Sequence, residues 1–344
     1  MNVSGSGSGG AGARAEAFRR NEELERFLKE INGDLWEAEK RLLEREPEEY
    51  PVVFVVGPLR SGTTLMMQWL ANTGQFAYPT NLLSRFYGAP VIGAKIQRLL
   101  TDEKYNFRNE ILDFSAPVAY ESENGKTKGA LSPNEFWYFW RRFLPFGEID
   151  YLPDVELLEK VDIATFRAEM LGIARVFEKP FALKAMICNY NLPFLDRVFP
   201  RAVFIYTKRD PYANIESVLK ARERQTGSVR SWYSFRIPEY RELAALDDPV
   251  RQAAGQVYYI NRAVEKGLGA IGEEKKMVVP YEEFCADPRR FYEELVRKLR
   301  GQGCDIREPY AGPESFRATR EGPADPEIVR AYREFAERDG FEND

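Results

Sequence analysis

The stretch PVVFVVGPLRSGTTLMMQWLANTG, residues 51–74, decides the fold of this chain. It opens with an unbroken run of apolar, mostly β-branched residues, which is typical of a strand buried on both faces of a parallel sheet. Gly57 and Gly62 follow with four residues between them, and a helical stretch then runs to Gly74. At such a junction the unpaired N–H groups of the helix point at an anion. The stretch therefore predicts a phosphate-binding loop at the edge of a sheet.

Three more units of the same kind follow along the chain. The apolar runs PFALKAM (180–186), RAVFIYT (201–207) and KMVVPYEEF (276–284) each precede a helical stretch. Strands that alternate with helices form a parallel sheet with helices on both faces. We therefore expect the α/β class with a doubly wound parallel sheet, whose ligands bind at the carboxyl ends of the strands.

The rest of the chain divides into three parts. Residues 1–13 are rich in Gly and Ser and predict a flexible tail. Residues 14–47 predict an amphipathic helix that either packs on the main domain, residues 48–344, or pairs with a second subunit in a homodimer. An aromatic, helical insertion at about 78–178 is expected to cover the carboxyl edge of the sheet. The apolar positions of the predicted N-terminal helix are Leu24, Phe27, Leu28, Ile31, Leu35, Leu42 and Leu43.

Composition excludes several classes of enzyme. The 344 residues include no histidine, which rules out a Ser-His-Asp triad, a Cys-His pair and a His-ligated metal. A general base must then be Asp, Glu, Lys, Tyr or Cys. The 49 Lys and Arg residues against 54 Asp and Glu residues give a net charge of -5, which argues against a nucleic-acid binder.

The cysteine content and the hydropathy of the chain indicate whether it has a metal site or a membrane segment, and where in the cell it works. Cys188, Cys285 and Cys304 are too few and too scattered for a disulfide framework or a zinc cluster, so we predict no metal. No apolar run reaches the roughly 18 residues of a spanning helix, and the N-terminus lacks the apolar core of a signal peptide. These features predict a cytoplasmic protein without a transmembrane segment.

The glycine loop GPLRSGTT, residues 57–64, has the spacing of a P-loop but not its full chemistry. A nucleotide P-loop places Lys directly after the second glycine, whereas here Thr63 stands there and Arg60 is the only cation of the loop. No apolar strand that ends in Asp follows in a clear magnesium-holding position. The loop is therefore predicted to bind a phosphate that is not part of a metal-bound triphosphate. The sheet that carries the loop is predicted to be of the P-loop type.

A second pattern, RAVFIYTKRDPYANIESVLK at residues 201–220, predicts another anion site. Arg209 follows the end of the strand, and Ser217 lies about two turns into the next helix. A guanidinium and a hydroxyl in this arrangement can bind one compact dianion. An Arg at a strand end and a Ser at a helix–helix contact would give the same pattern without a ligand.

Together the two patterns resemble the sulfotransferase family, whose enzymes use 3′-phosphoadenosine-5′-phosphosulfate (PAPS). The resemblance covers residues 51–300, and Leu65 after the threonines is more similar to the bacterial, carbohydrate and tyrosylprotein branches than to the cytosolic branch. It implies sulfuryl transfer to a hydroxyl or amine of a small-molecule, carbohydrate or lipid acceptor, with adenosine 3′,5′-bisphosphate as product. It places the 5′-phosphosulfate on Arg60, Ser61, Gly62, Thr63 and Thr64, the 3′-phosphate on Arg209 and Ser217, and the adenine near Tyr281 of YEEFCADP.

The resemblance assigns the catalytic residues less completely. Lys184 resembles the family lysine beside the bridging oxygen, and Arg60 resembles the loop cation that stabilises the leaving group. The cytosolic branch has a His as its base where this chain has Met186, and the tyrosylprotein branch has a Glu where this chain has Asn81. Neither side chain can take the proton of an acceptor hydroxyl.

Glu135 is our first choice of base, ahead of Glu121 and Glu123. In LSPNEFWYFW, residues 131–140, Ser132 or Asn134 is expected to begin a helix, and aromatic neighbours are expected to make the carboxylate more basic. An acidic residue that only favours the start of a helix is the alternative. The aromatic neighbours are Phe136, Trp137, Phe139 and Trp140.

Two other classes of function stay open. A P-loop kinase or other nucleotide phosphotransferase would need a loop Lys and a magnesium carboxylate, and a non-enzymatic interaction protein would use the N-terminal helix beside a decayed site. Near the C-terminus, Arg317 and Arg320 form a basic cluster that either closes over the 3′-phosphate or adds surface charge.

Overall fold

The computed structural model describes most of the chain. Arg320, the predicted tail and both ends of the predicted N-terminal helix lie outside the described residues. The described residues are 21–43, 50–106, 108, 110–111, 114, 118–123, 125–319 and 324–342.

Four parallel strands form the central sheet in the order β2-β1-β3-β4. They are β1 (Val52–Val56), β2 (Phe181–Lys184), β3 (Ala202–Lys208) and β4 (Lys276–Pro280). Val52 pairs with residue 181 of β2 on one side and residue 202 of β3 on the other, so β2 and β3 flank β1 in the same direction. The strand order reverses around β1, and the loop that follows β1 therefore opens at a topological switch point, where doubly wound sheets bind ligands. The predicted fold class is confirmed.

Helices cover both faces of this sheet. Three of these helices begin with a proline in the first turn, directly after an Asp whose side chain accepts a hydrogen bond from a backbone N–H of that turn; the Asp residues are Asp210, Asp248 and Asp287. The helices are α1 (Glu22–Leu43), α2 (Thr63–Asn72), α3 (Pro90–Thr101), α4 (Trp137–Phe143), α5 (Asp154–Lys160), α6 (Ile163–Phe177), α7 (Leu192–Val198), α8 (Pro211–Thr226), α9 (Tyr240–Ala244), α10 (Pro249–Gly269), α11 (Tyr281–Ala286), α12 (Pro288–Gly301) and α13 (Pro326–Glu342). Short 3-10 turns lie at Leu83–Phe86, Met186–Cys188 and Glu273–Lys275.

Alternate side chains of β1 enter two separate hydrophobic clusters. Phe54 packs with Phe199 and Phe204 at ring-centroid distances of 5.5 and 5.4 Å on one face. Val53 and Val55 join Trp69 on the other face. Burying each such side chain contributes about 1.5–3 kcal/mol, so both faces hold the strand that carries the glycine loop.

The N-terminal helix α1 lies against the main domain with a face that the apolar pattern did not predict. Leu28 is buried as expected, but Phe27 is 60% exposed and Leu24 is 37% exposed. Two polar residues, Asn32 and Glu39, are buried instead. Asn32 and Glu39 can take the place of apolar residues at this contact because the side chain of each forms hydrogen bonds with backbone groups of the main domain. A homodimer through this helix stays a prediction.

The insertion and the fourth unit differ in detail from the expected elements. The insertion carries α3 to α6, and α4 begins at Trp137, not at Ser132 or Asn134. In the fourth unit the strand ends at Pro280, and the residues YEEF, which the sequence pattern places with the strand, belong to α11. Among the residues described, every helix is too short or too polar to span a bilayer.

Candidate active site

The loop between β1 and α2 needs both of its glycines. Gly57 and Gly62 have φ angles of 134° and 98°, which side chains with a Cβ rarely adopt. A Cβ on Gly62 would lie 2.4 Å from Cδ2 of Tyr281, and one on Gly57 would lie 2.6 Å from the carbonyl oxygen of Thr207. Arg60 also adopts a left-handed conformation, with φ of 63°. This conformation persists because the surrounding structure holds the loop.

Two asparagines from other elements hold the loop backbone. The Asn189 side chain accepts from the Gly57 N–H at 3.0 Å and donates to the Gly57 carbonyl at 2.8 Å. Asn214 of α8 donates to the carbonyl of Leu59 at 2.7 Å. Both asparagines are buried, so these bonds are shielded from water. Neither residue was singled out from the sequence, because an isolated asparagine carries no spacing signal.

The hydroxyls of the loop point in different directions. Ser61 is buried and its Oγ lies 2.9 Å from Oγ1 of Thr207 on β3. Thr63 is also buried, and its hydroxyl donates to the sulfur of Met186 at 3.4 Å. In this structure these two hydroxyls therefore contact neighbouring side chains, Thr207 and Met186, and hold the loop in place.

The two predicted anion motifs lie together. Nε of Arg60 donates to Oγ of Ser217 at 3.2 Å. Nη1 of Arg209 donates to the carbonyl of Arg60 at 3.0 Å, and Nη2 donates to the carbonyl of Thr319 at 2.7 Å. The Arg209 guanidinium also lies over the Tyr281 ring, 5.1 Å from its centroid. Residues separated by more than 200 positions thus form one basic cluster beside the loop.

One nitrogen of Arg209 has no hydrogen-bond partner within the described part of the chain. This nitrogen, Nε, is buried. A buried donor without a partner is costly, and an anion would satisfy it. The Tyr281 hydroxyl lies 3.2 Å from Oγ1 of Thr319, and burial raises the pKa of Tyr281, which keeps the hydroxyl protonated at neutral pH. Arg317 is exposed on the same segment.

Lys184 joins the loop to the predicted base. This lysine ends β2 and is only 5% exposed. Its Nζ donates to Oγ1 of Thr64 at 2.7 Å and to Oε1 of Glu135 at 3.0 Å. The other carboxylate oxygen of Glu135 accepts from the Trp137 indole N–H at 2.5 Å. The structure therefore places Thr64, Lys184 and Glu135 in one connected group at the carboxyl edge of the sheet.

The surroundings of Glu135 differ from those expected. The residue precedes α4, whose first turn is preceded by Phe136 in a left-handed conformation, so Glu135 is not an acid of the first helical turn. Phe136, Phe139 and Trp140 are buried in the core. The contacts of the carboxylate are therefore two hydrogen-bond donors and not an apolar aromatic wall.

Asn81 orients the segment that carries Glu135. Its amide nitrogen donates to the carbonyl of Gly129 at 2.9 Å, and its Oδ1 accepts from Asn134 at 2.8 Å. The carboxylates of Glu121 and Glu123 belong to exposed residues of the neighbouring segment. At the position where the tyrosylprotein branch has its Glu base, this chain therefore has an amide that forms hydrogen bonds with the neighbouring segment.

Tyr233 is a site residue that the sequence analysis missed. After burial, the charges of Arg60 and Glu135 also act on the pKa of its hydroxyl, Arg60 lowering it and Glu135 raising it. Burial is the main reason why the pKa of Tyr233 is raised. The residue lies in the irregular segment between α8 and α9, where no periodicity or spacing could single it out.

The sequence comparison identifies the family. Residues 51–301, well over half of the chain, match the model of the Sulfotransferase family. The chain therefore belongs to the sulfotransferase family and is a transferase. No curated protein matches the sequence. Within the described residues, no group of acidic or cysteine side chains could hold a metal ion.

Several solved sulfotransferase structures are similar to this chain. A sulfotransferase from Mycobacterium avium is 18% identical, with a TM-score of 0.50 over 92% of this chain and 84% of that one. A sulfotransferase from Mycobacterium tuberculosis is 12% identical, with a TM-score of 0.48 over 90% and 76%. The sulfotransferase domain of an olefin synthase from Synechococcus is 16% identical, with a TM-score of 0.41 over 85% and 98%. At this identity the similarity to the first of them supports the fold alone.

Proposed function

We propose that this protein transfers the sulfuryl group of PAPS to a hydroxyl or amine of an acceptor. The observation that carries the proposal is the single cluster formed by the glycine loop, Arg209, Ser217, Lys184 and Glu135. Membership of the sulfotransferase family supports it. The acceptor is a small molecule, a carbohydrate or a lipid.

The residues of the cluster fit this donor. The N–H groups of the loop and Arg60 would hold the 5′-phosphosulfate, because a helix N-terminus and a guanidinium both attract anions. Arg209, with its unpartnered buried Nε, and Ser217 would hold the 3′-phosphate. Tyr281 would lie beside the adenine. Bound PAPS supplies the sulfuryl group and is left as adenosine 3′,5′-bisphosphate.

Lys184 and Glu135 would have two different roles in the reaction, charge neutralisation and proton transfer. The Lys184 ammonium, already between Thr64 and Glu135, would neutralise negative charge on the leaving oxygen. The Glu135 carboxylate would take the proton of the acceptor hydroxyl or amine. Arg60, Arg209 and Lys184 provide positive charge, so the proposed chemistry requires no metal.

Binding measurements test the proposal. We expect adenosine 3′,5′-bisphosphate to bind tightly and ATP with magnesium to bind far more weakly, because the loop has no lysine after Gly62. Arg209→Ala should weaken bisphosphate binding by about 2–5 kcal/mol, the range for breaking a buried charged pair. Adenosine 5′-phosphosulfate, which lacks the 3′-phosphate, should lose much less.

Several outcomes would contradict this assignment. Binding of ATP with magnesium alone would favour a nucleotide phosphotransferase, and binding of neither ligand would favour an interaction protein. Equal losses for both adenosine ligands would give Arg209 a purely structural role. Sulfuryl transfer should continue in EDTA, and activity that returns only with added magnesium would overturn the metal-free proposal.

A further inference from the structure

We propose that the 3′-phosphate and the 5′-phosphate of the donor nucleotide bind cooperatively, and that Asn214 of α8 is the positioning residue that couples their two sites. This inference rests on the proposed function, which puts the 5′-phosphosulfate on the glycine loop and the 3′-phosphate on Arg209 and Ser217. It adds a residue that acts through the loop backbone and not through contact with either phosphate.

Three hydrogen bonds join Leu59 and Arg60 of the glycine loop to α8 and the residues just before it. The Asn214 side chain donates to the Leu59 carbonyl at 2.7 Å. Nη1 of Arg209 donates to the carbonyl of Arg60 at 3.0 Å. The Arg60 side chain in turn donates from Nε to Oγ of Ser217 at 3.2 Å. The part of the loop that carries its cation is therefore attached to the segment that carries the proposed 3′-phosphate ligands.

The bond from Asn214 fixes the direction of a backbone N–H in the loop. The Leu59 carbonyl and the Arg60 N–H belong to one trans peptide unit, so they point in opposite directions. Because Asn214 holds the carbonyl, the N–H is directed to the side away from Asn214. Arg60 also has a φ of 63°, a left-handed conformation that persists only where surrounding contacts hold it. Asn214 thus keeps this peptide unit in the orientation that the proposed 5′-phosphate site uses.

The Asn214 side chain acts through its donor group. The residue is fully buried, and its Oδ1 has no hydrogen-bond partner among the described residues. A buried amide oxygen without a partner costs free energy that an apolar side chain at this position would avoid. The contact that offsets this cost is the bond to the Leu59 carbonyl, which ties the loop to α8.

A phosphate bound to Arg209 and Ser217 would make the loop more rigid. Both side chains contact Arg60, and Asn214 lies one turn before Ser217 on the same face of α8. A ligand that binds to a preorganised loop loses less conformational entropy, so each phosphate should strengthen binding of the other. Without the Asn214 bond, the peptide unit could turn while Arg209 and Ser217 stay in place, and the two sites would bind independently.

Four ligands measure this coupling without a sulfuryl acceptor: adenosine, 5′-AMP, 3′-AMP and adenosine 3′,5′-bisphosphate. Displacement titrations give the gain in affinity from the 3′-phosphate with and without the 5′-phosphate. In the wild type we expect this gain to be about 5- to 100-fold larger when the 5′-phosphate is present. Asn214→Ala should make the two gains equal, while 3′-AMP keeps its advantage over adenosine because Arg209 and Ser217 are intact.

Asn189→Ala is the matched control. Asn189 also donates to a loop carbonyl, that of Gly57 at 2.8 Å, but it lies after β2 and not on α8. We expect this variant to bind both 5′-phosphate ligands more weakly by the same factor and to keep the coupling. Thermal unfolding curves show whether each variant is folded. Asn214→Ser, whose hydroxyl can bond within its own helix, repeats the measurement if Asn214→Ala does not fold.

Three results would overturn the inference while the proposed function stands. Additive phosphates in the wild type would show that the two sites are independent. Coupling that persists in the Asn214 variants would belong to another residue. Coupling that is lost in Asn189→Ala as well would make both asparagines general supports of the loop. A wild type that binds the bisphosphate no better than adenosine would contradict the proposed function and, with it, this inference.

Discussion

At the scale of single residues, the carboxylate of Glu135, our proposed base, is held by two hydrogen-bond donors. Lys184 binds one of its oxygens at 3.0 Å and Trp137 binds the other at 2.5 Å. Its side chain is 31% exposed, so an acceptor can approach it from solvent. The ammonium of Lys184 also donates to Oγ1 of Thr64 in the glycine loop. One carboxylate thus contacts both the cation and the open side of the site.

Replacement of Glu135 by Gln tests its role as a base. The amide keeps the shape and can still accept from Lys184, but it cannot take a proton. We expect the rate of sulfuryl transfer to fall about 10²–10⁴-fold, while the affinity for adenosine 3′,5′-bisphosphate stays nearly unchanged. The acceptor is first found by offering sugars, lipids, phenols and amines with labelled PAPS, and the rate is then measured at saturation.

Glu121→Gln and Glu123→Gln are the controls for this prediction. Both residues are exposed on the neighbouring segment, and we expect both variants to keep the wild-type rate. A large loss in either one, with full activity in Glu135→Gln, would move the base to that segment. Full activity in all three would leave Lys184 or an already ionised acceptor as the explanation.

At the scale of elements, α1 joins the domain through polar groups. The Asn32 side chain donates to the carbonyl of Arg85 at 2.8 Å and accepts from the N–H of Gly88 at 2.7 Å. The buried carboxylate of Glu39 accepts from the N–H groups of Val91 and Ile92 at 2.7 and 2.9 Å. These N–H groups belong to the first turn of α3, so Glu39 caps that helix from another element.

Glu39→Ala should therefore destabilise the fold. It leaves two backbone N–H groups of α3 without partners, and we expect the free energy of unfolding to fall by about 1–3 kcal/mol in urea titrations. Glu37→Ala is the matched control on the same helix. Glu37 is 76% exposed and pairs with Lys40 at 2.7 Å, a contact worth about 0–1 kcal/mol. Equal effects of the two changes would show that α1 does not cap α3.

At the scale of the whole molecule, one buried acid should make stability depend on pH. Glu169 of α6 is fully buried, and its carboxylate contacts the guanidinium of Arg142 from α4. Burial raises the pKa of Glu169 to about 8, although Arg142 acts in the opposite direction. The folded protein therefore holds this proton more tightly than the unfolded chain, whose carboxyl has a pKa of 4.5.

The sign of the effect follows from this difference in pKa. The stability from this group is fully present below pH 4.5 and is lost as the pH rises through about 8. Glu169→Gln cannot ionise, so its Tm should decline by a few degrees less than that of the wild type between pH 5 and pH 8. Calorimetry across this range measures the difference, and parallel declines in both proteins would show that Glu169 does not titrate there.

The local pattern of residues in the sequence was enough to predict the central strand and the glycine loop of this protein. The apolar run before Gly57 predicted a strand buried on both faces, and the glycines after it predicted a tight loop at the start of a helix. Arg209 and Ser217 were likewise predictable, because one follows a strand and the other lies two turns into the next helix. Backbone sterics and side-chain periodicity act over a few residues, so they can be read directly from the chain.

Only the tertiary structure brought the distant groups together. Glu135 meets Lys184 across 49 positions, and Asn214 of α8 reaches the carbonyl of Leu59 in the glycine loop. The polar docking face of α1, with Phe27 left exposed, was also not visible in an apolar pattern. Such contacts depend on how whole elements pack, and a buried polar side chain keeps its place only where packing provides its hydrogen-bond partner.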